Sequence, residues 1–241
     1  MSSTLERVRY TRKWLNTLHN HLLVWFAQNG RSFPWRQTSD PFLILLAEKL
    51  LQQTAARPSV VRAYETIFAI YPTPESLAGA DLSFLYSVVA PLGLPVRALE
   101  LINCARAICE NHSGNVPDDL DALRALPGVG EYIARSVLCF AFDMPIAVVD
   151  TNIARWLFRI HYIKDELPSN PARHRKLIEL AQAHLPDDNA KAWNWAILDL
   201  CAAICIARAP NCFDCPLNRS CKYGKRRVRV LATGKRPSEN Q

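Results

Sequence analysis

Apolar residues recur at helical spacing along most of the chain. Leu15, Leu18, Leu22 and Trp25 follow one another at steps of three and four residues, which is typical of a helix with one buried face. No stretch shows the sustained apolar–polar alternation of a strand, so the pattern predicts an all-α protein. The predicted helices are 5–28, 41–56, 58–71, 75–88, 96–111, 119–125, 131–142, 151–160, 171–184 and 189–204.

Capping residues and chain breakers divide this pattern. Asn29-Gly30 ends the first predicted helix as a pair able to adopt left-handed backbone angles, and Asp40-Pro41 begins the next one with an N-cap and a proline. The loop near Met144–Val149 is the natural domain boundary. We therefore expect two helical domains and a tail. They are residues 30–146, residues 1–29 with 147–221, and a basic, flexible tail at 222–241.

Composition limits the class of protein. The 241 residues are 49% hydrophobic and 21% charged, so the chain can bury a sizeable core. It contains no run of about 18 uncharged apolar residues and no secretory signal, so we expect no membrane span and a cytoplasmic location. Of the formal net charge of +7, residues 222–241 carry +6. Such a tail is either a nucleic-acid contact or merely solvated.

Four cysteines predict a metal centre. Cys205, Cys212, Cys215 and Cys221 are spaced C-x6-C-x2-C-x5-C immediately after a predicted helix. Four thiolates suit zinc or an iron–sulfur cluster. A disulfide framework is disfavoured because the chain has no export signal. The remaining cysteines fall on apolar helix faces and are expected to be small buried hydrophobes; they are Cys104, Cys109, Cys139 and Cys201.

A short glycine-containing turn and an acid follow one another at a fixed distance. In Leu126–Gly130 (LPGVG) we expect the N–H groups of Gly128, Val129 and Gly130 to face a phosphate at the start of the next helix. Asp150 follows Gly130 by 20 residues, across one helix and a loop. Taken alone, the turn could be only a turn and Asp150 only an N-cap.

Together, the turn, the VVDTN segment and the cysteine spacing resemble the endonuclease III and MutY branch of the helix–hairpin–helix DNA glycosylases, over about residues 25–222. The resemblance implies a six-helix barrel domain at 30–146, a [4Fe–4S] cluster held by the four cysteines, and an active site in the cleft between the domains. It also implies a monomer of the bacterial or archaeal nucleoid that acts on double-stranded DNA with a mispaired or damaged base.

The resemblance assigns catalytic roles to four residues. Asp150 would stabilise the oxocarbenium-like sugar, and Asn152 would help to fix Asp150. Glu48 would protonate the departing base, although its periodicity alone indicates a solvated residue. Tyr132 stands where endonuclease III-like enzymes carry a nucleophilic lysine, and no lysine lies between Val116 and Ile163. We therefore expect hydrolysis without β-lyase cleavage. By its own spacing Tyr132 could be a core aromatic, but the resemblance favours a cleft tyrosine that contacts the target nucleotide.

Further residues are expected at the DNA. Gln52, Gln53 and Thr54 would enter the gap left by the flipped nucleotide. Leu94 matches a position that wedges into the base stack, or it packs on its own fold. Lys222 would face phosphates beside the cluster loop.

Two base specificities compete. Glu48 and the QQT segment resemble MutY enzymes, which remove adenine opposite guanine or 8-oxoguanine. Only 20 residues follow Cys221, so we expect no MutY-type C-terminal domain. MutY enzymes usually have Gly at the position of Thr151, whereas compact thymine/uracil glycosylases acting opposite guanine have a non-Gly residue there. We prefer this second interpretation. A modified-base glycosylase and a non-catalytic DNA-binding relative are the remaining alternatives.

Overall fold

The computed structural model describes residues 5, 8–93 and 95–233, and this part of the chain contains α- and 3-10 helices but no strand. The prediction of an all-α protein is confirmed. The α-helices are α1 (Arg12–Asn29), α2 (Pro41–Leu51), α3 (Pro58–Ile70), α4 (Pro74–Ala78), α5 (Leu82–Val89), α6 (Arg97–His112), α7 (Leu120–Ala125), α8 (Glu131–Phe140), α9 (Thr151–His161), α10 (Arg175–Gln182), α11 (Ala190–Ala203) and α12 (Lys222–Thr233).

The chain divides into two compact units. Ser32–Met144 form one continuous unit, here called the inserted unit. Met1–Arg31 and Pro145–Gln241 form the other, here called the discontinuous unit. The boundaries expected from the sequence are 29/30 and 146/147.

The inserted unit contains α2–α8, seven α-helices in its described residues instead of the six predicted, and two short 3-10 helices at Pro34–Arg36 and Ala90–Leu92. The predicted helix at 75–88 is split because Asp81 caps a new helix by accepting a hydrogen bond from Phe84 N (2.6 Å). Apolar side chains of several helices form the core, with Leu50, Ile67 and Leu85 fully buried. Removing this much apolar surface from water is the main force holding the unit together.

The discontinuous unit joins the two ends of the chain. Helix α1 packs against α11, and α9 packs against both α11 and α12. Leu22, Leu157 and Trp193 lie in its core. At the end of α1, the buried carboxylate of Asp199 accepts hydrogen bonds from the backbone N–H and the guanidinium of Arg31. A buried charge needs such pairing to offset its lost hydration.

Two helix ends differ from the predictions. Gly30 has a φ of −59°, so the expected left-handed end of α1 is wrong; its N–H instead bonds to Phe26 O at 2.7 Å. Helix α2 ends at Leu51 and not at 56, because Gln53 adopts a left-handed φ of 52° that breaks the helical path.

The prediction of a flexible tail from residue 222 is wrong for Lys222–Thr233, which form α12. The prediction considered only the basic residues of this segment. It did not consider the residues between them, which recur at helical spacing. Tyr223, Gly224 and Val228 are buried or half-buried, and α12 packs on α9. Residues 234–241 lie outside the described part of the chain. Among the described residues, no helix combines the length and the apolar character that a membrane span requires.

Candidate active site and cysteine cage

Asp150 is the N-cap of α9, and both of its carboxylate oxygens accept hydrogen bonds. Oδ1 accepts from the backbone N–H groups of Asn152 (2.8 Å) and Ile153 (2.7 Å). Oδ2 accepts from the side-chain amide of Asn152 at 2.6 Å. The positive end of the α9 dipole adds to these bonds. The carboxylate is therefore held in one orientation while remaining half-buried.

Glu48 lies in α2 and is only 6% exposed. The periodicity interpretation, which placed it on a solvated face, is wrong because residues Phe42–Leu50 are all buried and α2 has no solvated face there. The neighbouring Lys49 is also buried, at 3% exposure, and its ammonium donates to Pro127 O at 2.9 Å. Burial lowers the pKa of Lys49. Two adjacent buried ionisable side chains mark this turn of α2 as a candidate functional position.

The glycine-containing turn joins α7 to α8 and is held against the end of α2. Gln52 donates its side-chain amide to Gly128 O at 2.9 Å. Gly128 has a φ of 72°, and a Cβ there would lie 2.5 Å from the ammonium of Lys49. The N–H of Val129 already donates to Leu126 O at 3.1 Å, and its side chain is buried. Gly130, at the N-cap of α8, has open space around it.

The QQT segment is tied to the inserted unit. Thr54 accepts a hydrogen bond from the Arg97 guanidinium (3.1 Å), which also donates to Leu50 O (3.0 Å). Arg97 is 2% exposed, and burial lowers its pKa. Gln53 occupies the turn after α2 and is exposed. The segment thus has a fixed shape in the inserted unit.

Two other predicted residues have simpler placements. Tyr132 is half-buried in the first turn of α8, one position after Glu131. Leu94, the predicted wedge, lies outside the described residues. Lys222 is exposed at the start of α12.

The four predicted ligand cysteines line one cavity in the discontinuous unit. Cys205, Cys212, Cys215 and Cys221 surround it together with apolar residues of α9 and α11. In the described residues, no three His, Cys, Asp or Glu side chains are placed to hold a metal ion. Burial raises the pKa of Cys215 to about 12 and that of Cys221 to about 11. Thiolates at these positions need a positive partner, which a metal centre supplies, so the four sulfur donors suit a metal centre by their chemistry and not by their present placement.

Cys205 differs from the other cage thiols. Hydrogen bonds from Cys201 and then from Arg159 hold its pKa down, to about 6. Cys201, predicted to be a small buried hydrophobe, is indeed buried. Its own pKa is raised first by the bond to Cys205 and then by burial. Cys205 is therefore the cage sulfur most ready to act as a thiolate ligand.

Sequence reasoning missed two arginines of α9. Arg155 donates through Nε and Nη2 to Cys205 O. Arg159 donates to the carbonyls of Cys205, Ile206 and Ala207, at 3.1, 2.7 and 2.9 Å, and to Cys205 Sγ at 3.3 Å. Their i, i+4 spacing puts them on one face of α9. That spacing was visible in the sequence, but its partners are backbone carbonyls, which leave no signature.

Several known proteins are similar to this chain over most of its length. The chain is 38% identical over 213 residues to a thymine-DNA glycosylase of Aeropyrum pernix, covering 87% of this chain and 95% of that protein. It is 38% identical over 202 residues to an adenine DNA glycosylase of Mycobacterium tuberculosis, covering 82% of this chain and 65% of that protein. The solved structure of a thermostable thymine-DNA glycosylase matches with a TM-score of 0.80 and 31% identity, covering 88% and 97% of the two chains.

A family profile covers the central part of the chain. Residues 46–184 match the HhH-GPD superfamily of base excision DNA repair proteins. This range includes Glu48, the turn at Leu126–Gly130 and Asp150. The chain belongs to the HhH-GPD superfamily.

Proposed function

We propose that this protein is a monofunctional DNA glycosylase that hydrolyses the N-glycosidic bond of thymine or uracil mispaired with guanine and leaves an abasic site. The observation that carries the proposal is the Asp150 carboxylate, oriented by three hydrogen bonds at the N-cap of α9. Support for the base comes from the relatives. Thymine and thymine/uracil glycosylases match nearly along their whole length.

Asp150 acts on the sugar. Breaking the base–sugar bond builds positive charge at C1′, and a fixed carboxylate stabilises that charge without reorganising. The same group orients the attacking water. Asn152 is a positioning residue because its amide donates to Asp150 Oδ2 and keeps that oxygen in place.

Glu48 acts on the base. Its carboxyl group is only 6% exposed and is therefore shielded from bulk water. In glycoside hydrolysis a carboxyl group gives a proton to the leaving group, and Glu48 takes this role towards the departing base.

The absence of lyase chemistry rests on two residues. A Schiff base needs an accessible amine, and the first turn of α8 offers the phenol of Tyr132 instead. The lysine beside the catalytic acid, Lys49, is buried and donates to Pro127 O, so it does not offer a free nucleophile. We expect hydrolysis alone.

We further infer that Cys205, Cys212, Cys215 and Cys221 hold a [4Fe–4S] cluster. When bound, such a cluster pins the cysteine-bearing loop and can also carry electrons. The chain's own contribution is the closure of the loop by Arg155 and Arg159. Purified protein should contain about four iron atoms per chain and show visible absorbance that bleaches on reduction. One zinc per chain would contradict this inference.

Adenine removal is the second candidate. It is favoured by the QQT segment and by the 38% identity to an adenine DNA glycosylase. Duplexes with one G·T, G·U, G·A or 8-oxoguanine·A pair, labelled at the 5′ end and treated with hot alkali, separate the two. We expect cleavage at G·T and G·U. Cleavage confined to the adenine duplexes would establish the second candidate, and no cleavage of any duplex would overturn the proposed function.

The role of Asp150 is tested by Asp150→Asn. Asparagine is also a good N-cap, so we expect α9 to stay intact and excision to fall at least about a hundredfold. Asp119→Asn is a matched control, because Asp119 caps α7 with two similar hydrogen bonds, from Asp121 N and Ala122 N. It should keep wild-type excision. Equal activity of the two variants would remove Asp150 from the mechanism.

A further inference from the structure

Helix α12 carries a stripe of positive charge. Lys222, Lys225 and Arg229 are exposed and recur at steps of three and four residues, so they lie on one face of the helix. Together they span about 10 Å along the helix axis. The sequence of α12 contains no acidic residue. We call these three residues the α12 stripe.

The other side of α12 is used for packing. Gly224 is buried against Asn218 and Cys221, with its N–H on Cys221 Sγ at 3.3 Å. Tyr223 lies under the guanidinium of Arg159. A basic helix that lies on a lipid surface needs a free apolar face to insert. Because this side of α12 packs on α9, the stripe fits a polyanion and not a membrane.

The stripe is joined to the helix that carries Asp150 but is distant from that residue. The Cys221 thiol reaches Arg159 O, so α12 starts at the last turns of α9. Arg226 then lies over the ring of Tyr162, just beyond the end of α9. Since α9 has 11 residues, its length is about 16 Å, which corresponds to about five base pairs of duplex.

We propose that the α12 stripe binds the phosphate backbone of double-stranded DNA in the duplex flanking the target base. This inference rests on the proposed function, which supplies the substrate. The contacts are to phosphates only, so the stripe contributes affinity and register but no base selection. Its position on a packed helix fixes the three charges relative to α9.

The experiment measures salt dependence. In the triple variant Lys222→Gln, Lys225→Gln, Arg229→Gln, three phosphate contacts are lost. The slope of log K against log salt for an undamaged duplex should become less steep by about 2 to 3. Affinity at low salt should fall at least about tenfold.

Two variants serve as controls. Lys222→Arg, Lys225→Arg, Arg229→Lys keeps the charges at the same positions and should retain the wild-type slope. Lys13→Gln, Arg173→Gln, Lys176→Gln removes three charges from exposed positions elsewhere in the discontinuous unit and should also leave the slope unchanged. Helicity measured by circular dichroism establishes that each variant is folded.

The outcomes separate this inference from the proposed function. A folded stripe variant with the wild-type slope would overturn the inference, even if mispair excision is normal. Binding to vesicles of anionic lipid is measured as well. If the stripe variant loses binding to these vesicles but binds duplex DNA like the wild type, the inference is also overturned. The expected slope change in a protein that excises no base would support the stripe while overturning the proposed function.

Discussion

Each of the two units holds a functional loop, but the polar side chains that hold it differ between them. In the inserted unit, single bonds from Lys49 and Gln52 reach the turn at Pro127 and Gly128. In the discontinuous unit, the Arg159 guanidinium alone reaches three successive carbonyls and a sulfur. The planar guanidinium of an arginine has five N–H donors and can bond several carbonyls of a loop at once. The compact ammonium of a lysine reaches fewer of them. The cysteine loop is therefore held by more hydrogen bonds than the turn at Pro127 and Gly128.

The units also differ in their buried histidines. In the discontinuous unit, His161 Nε2 lies 2.8 Å from His184 Nε2, beside the rings of Tyr10 and Trp14. His184 Nδ1 must donate to Leu180 O, since a carbonyl only accepts. The neutral His184 therefore accepts at Nε2, and His161 donates to it. The inserted unit has one histidine, His112, and it is not fully buried.

Acid should therefore distinguish the units most strongly. Burial is the main cause that lowers the pKa of His161 to about 3 and that of His184 to about 4. Both values lie below the unfolded value of about 6.5, so the unfolded chain binds more protons as the pH falls. The stabilisation is present above about pH 6.5. At pH 5 the contribution of each histidine to the free energy of unfolding should be lower by about 2 kcal/mol than at neutral pH.

Urea unfolding followed by helicity between pH 7 and pH 5 measures this loss. Proteolysis at pH 5 should begin in the discontinuous unit. His161→Gln keeps a donor toward His184 but removes one titrating group, so we expect about half of the pH dependence. Parallel curves for wild type and variant would show that the pair is not responsible.

The next largest effect concerns the arginine fork. Arg159→Lys keeps the positive charge but cannot reach all four acceptors, so the loop carbonyls at Cys205, Ile206 and Ala207 lose charged donors. We expect a loss of about 2 to 3 kcal/mol in the free energy of unfolding, with reduced iron content. Lys49→Arg is the reciprocal change in the inserted unit. If Arg159→Lys is as stable as wild type and retains its iron, the guanidinium of Arg159 is not needed to hold the cysteine loop.

The smallest effect sharpens the description of the turn. Gly128→Ala places a Cβ at a φ of 72° and 2.5 Å from the Lys49 ammonium, and it should cost about 1 to 2 kcal/mol. Gly130→Ala is the matched control. Its φ of −97° suits any residue and the site is open, so we expect a change below about 0.5 kcal/mol. Thermal unfolding of the two variants measures the difference, and equal losses would contradict the assigned strain.

The sequence predicts local features of this molecule better than partners that are distant along the chain. The N-caps at Asp40 and Asp150 follow from residues that are adjacent in sequence. The burial of Glu48 does not, because α2 is enclosed on all sides and its polar residue has no periodic marker. The roles of Arg155 and Arg159 cannot be predicted from the sequence for another reason. Their acceptors are backbone carbonyls about 50 residues away, and any residue type supplies a carbonyl.

The contact between α1 and α11 has a consequence for how the chain folds. The bond from Arg31 to Asp199 closes a loop of 168 residues, and the whole inserted unit lies within that loop. During synthesis the inserted unit is therefore complete while α11 is still missing. Contacts of such sequence separation form late because the loop must be closed before they contribute. The unit that carries Asp150 and the cysteines is thus the last to fold, and until then α1 exposes the apolar face that α11 will cover.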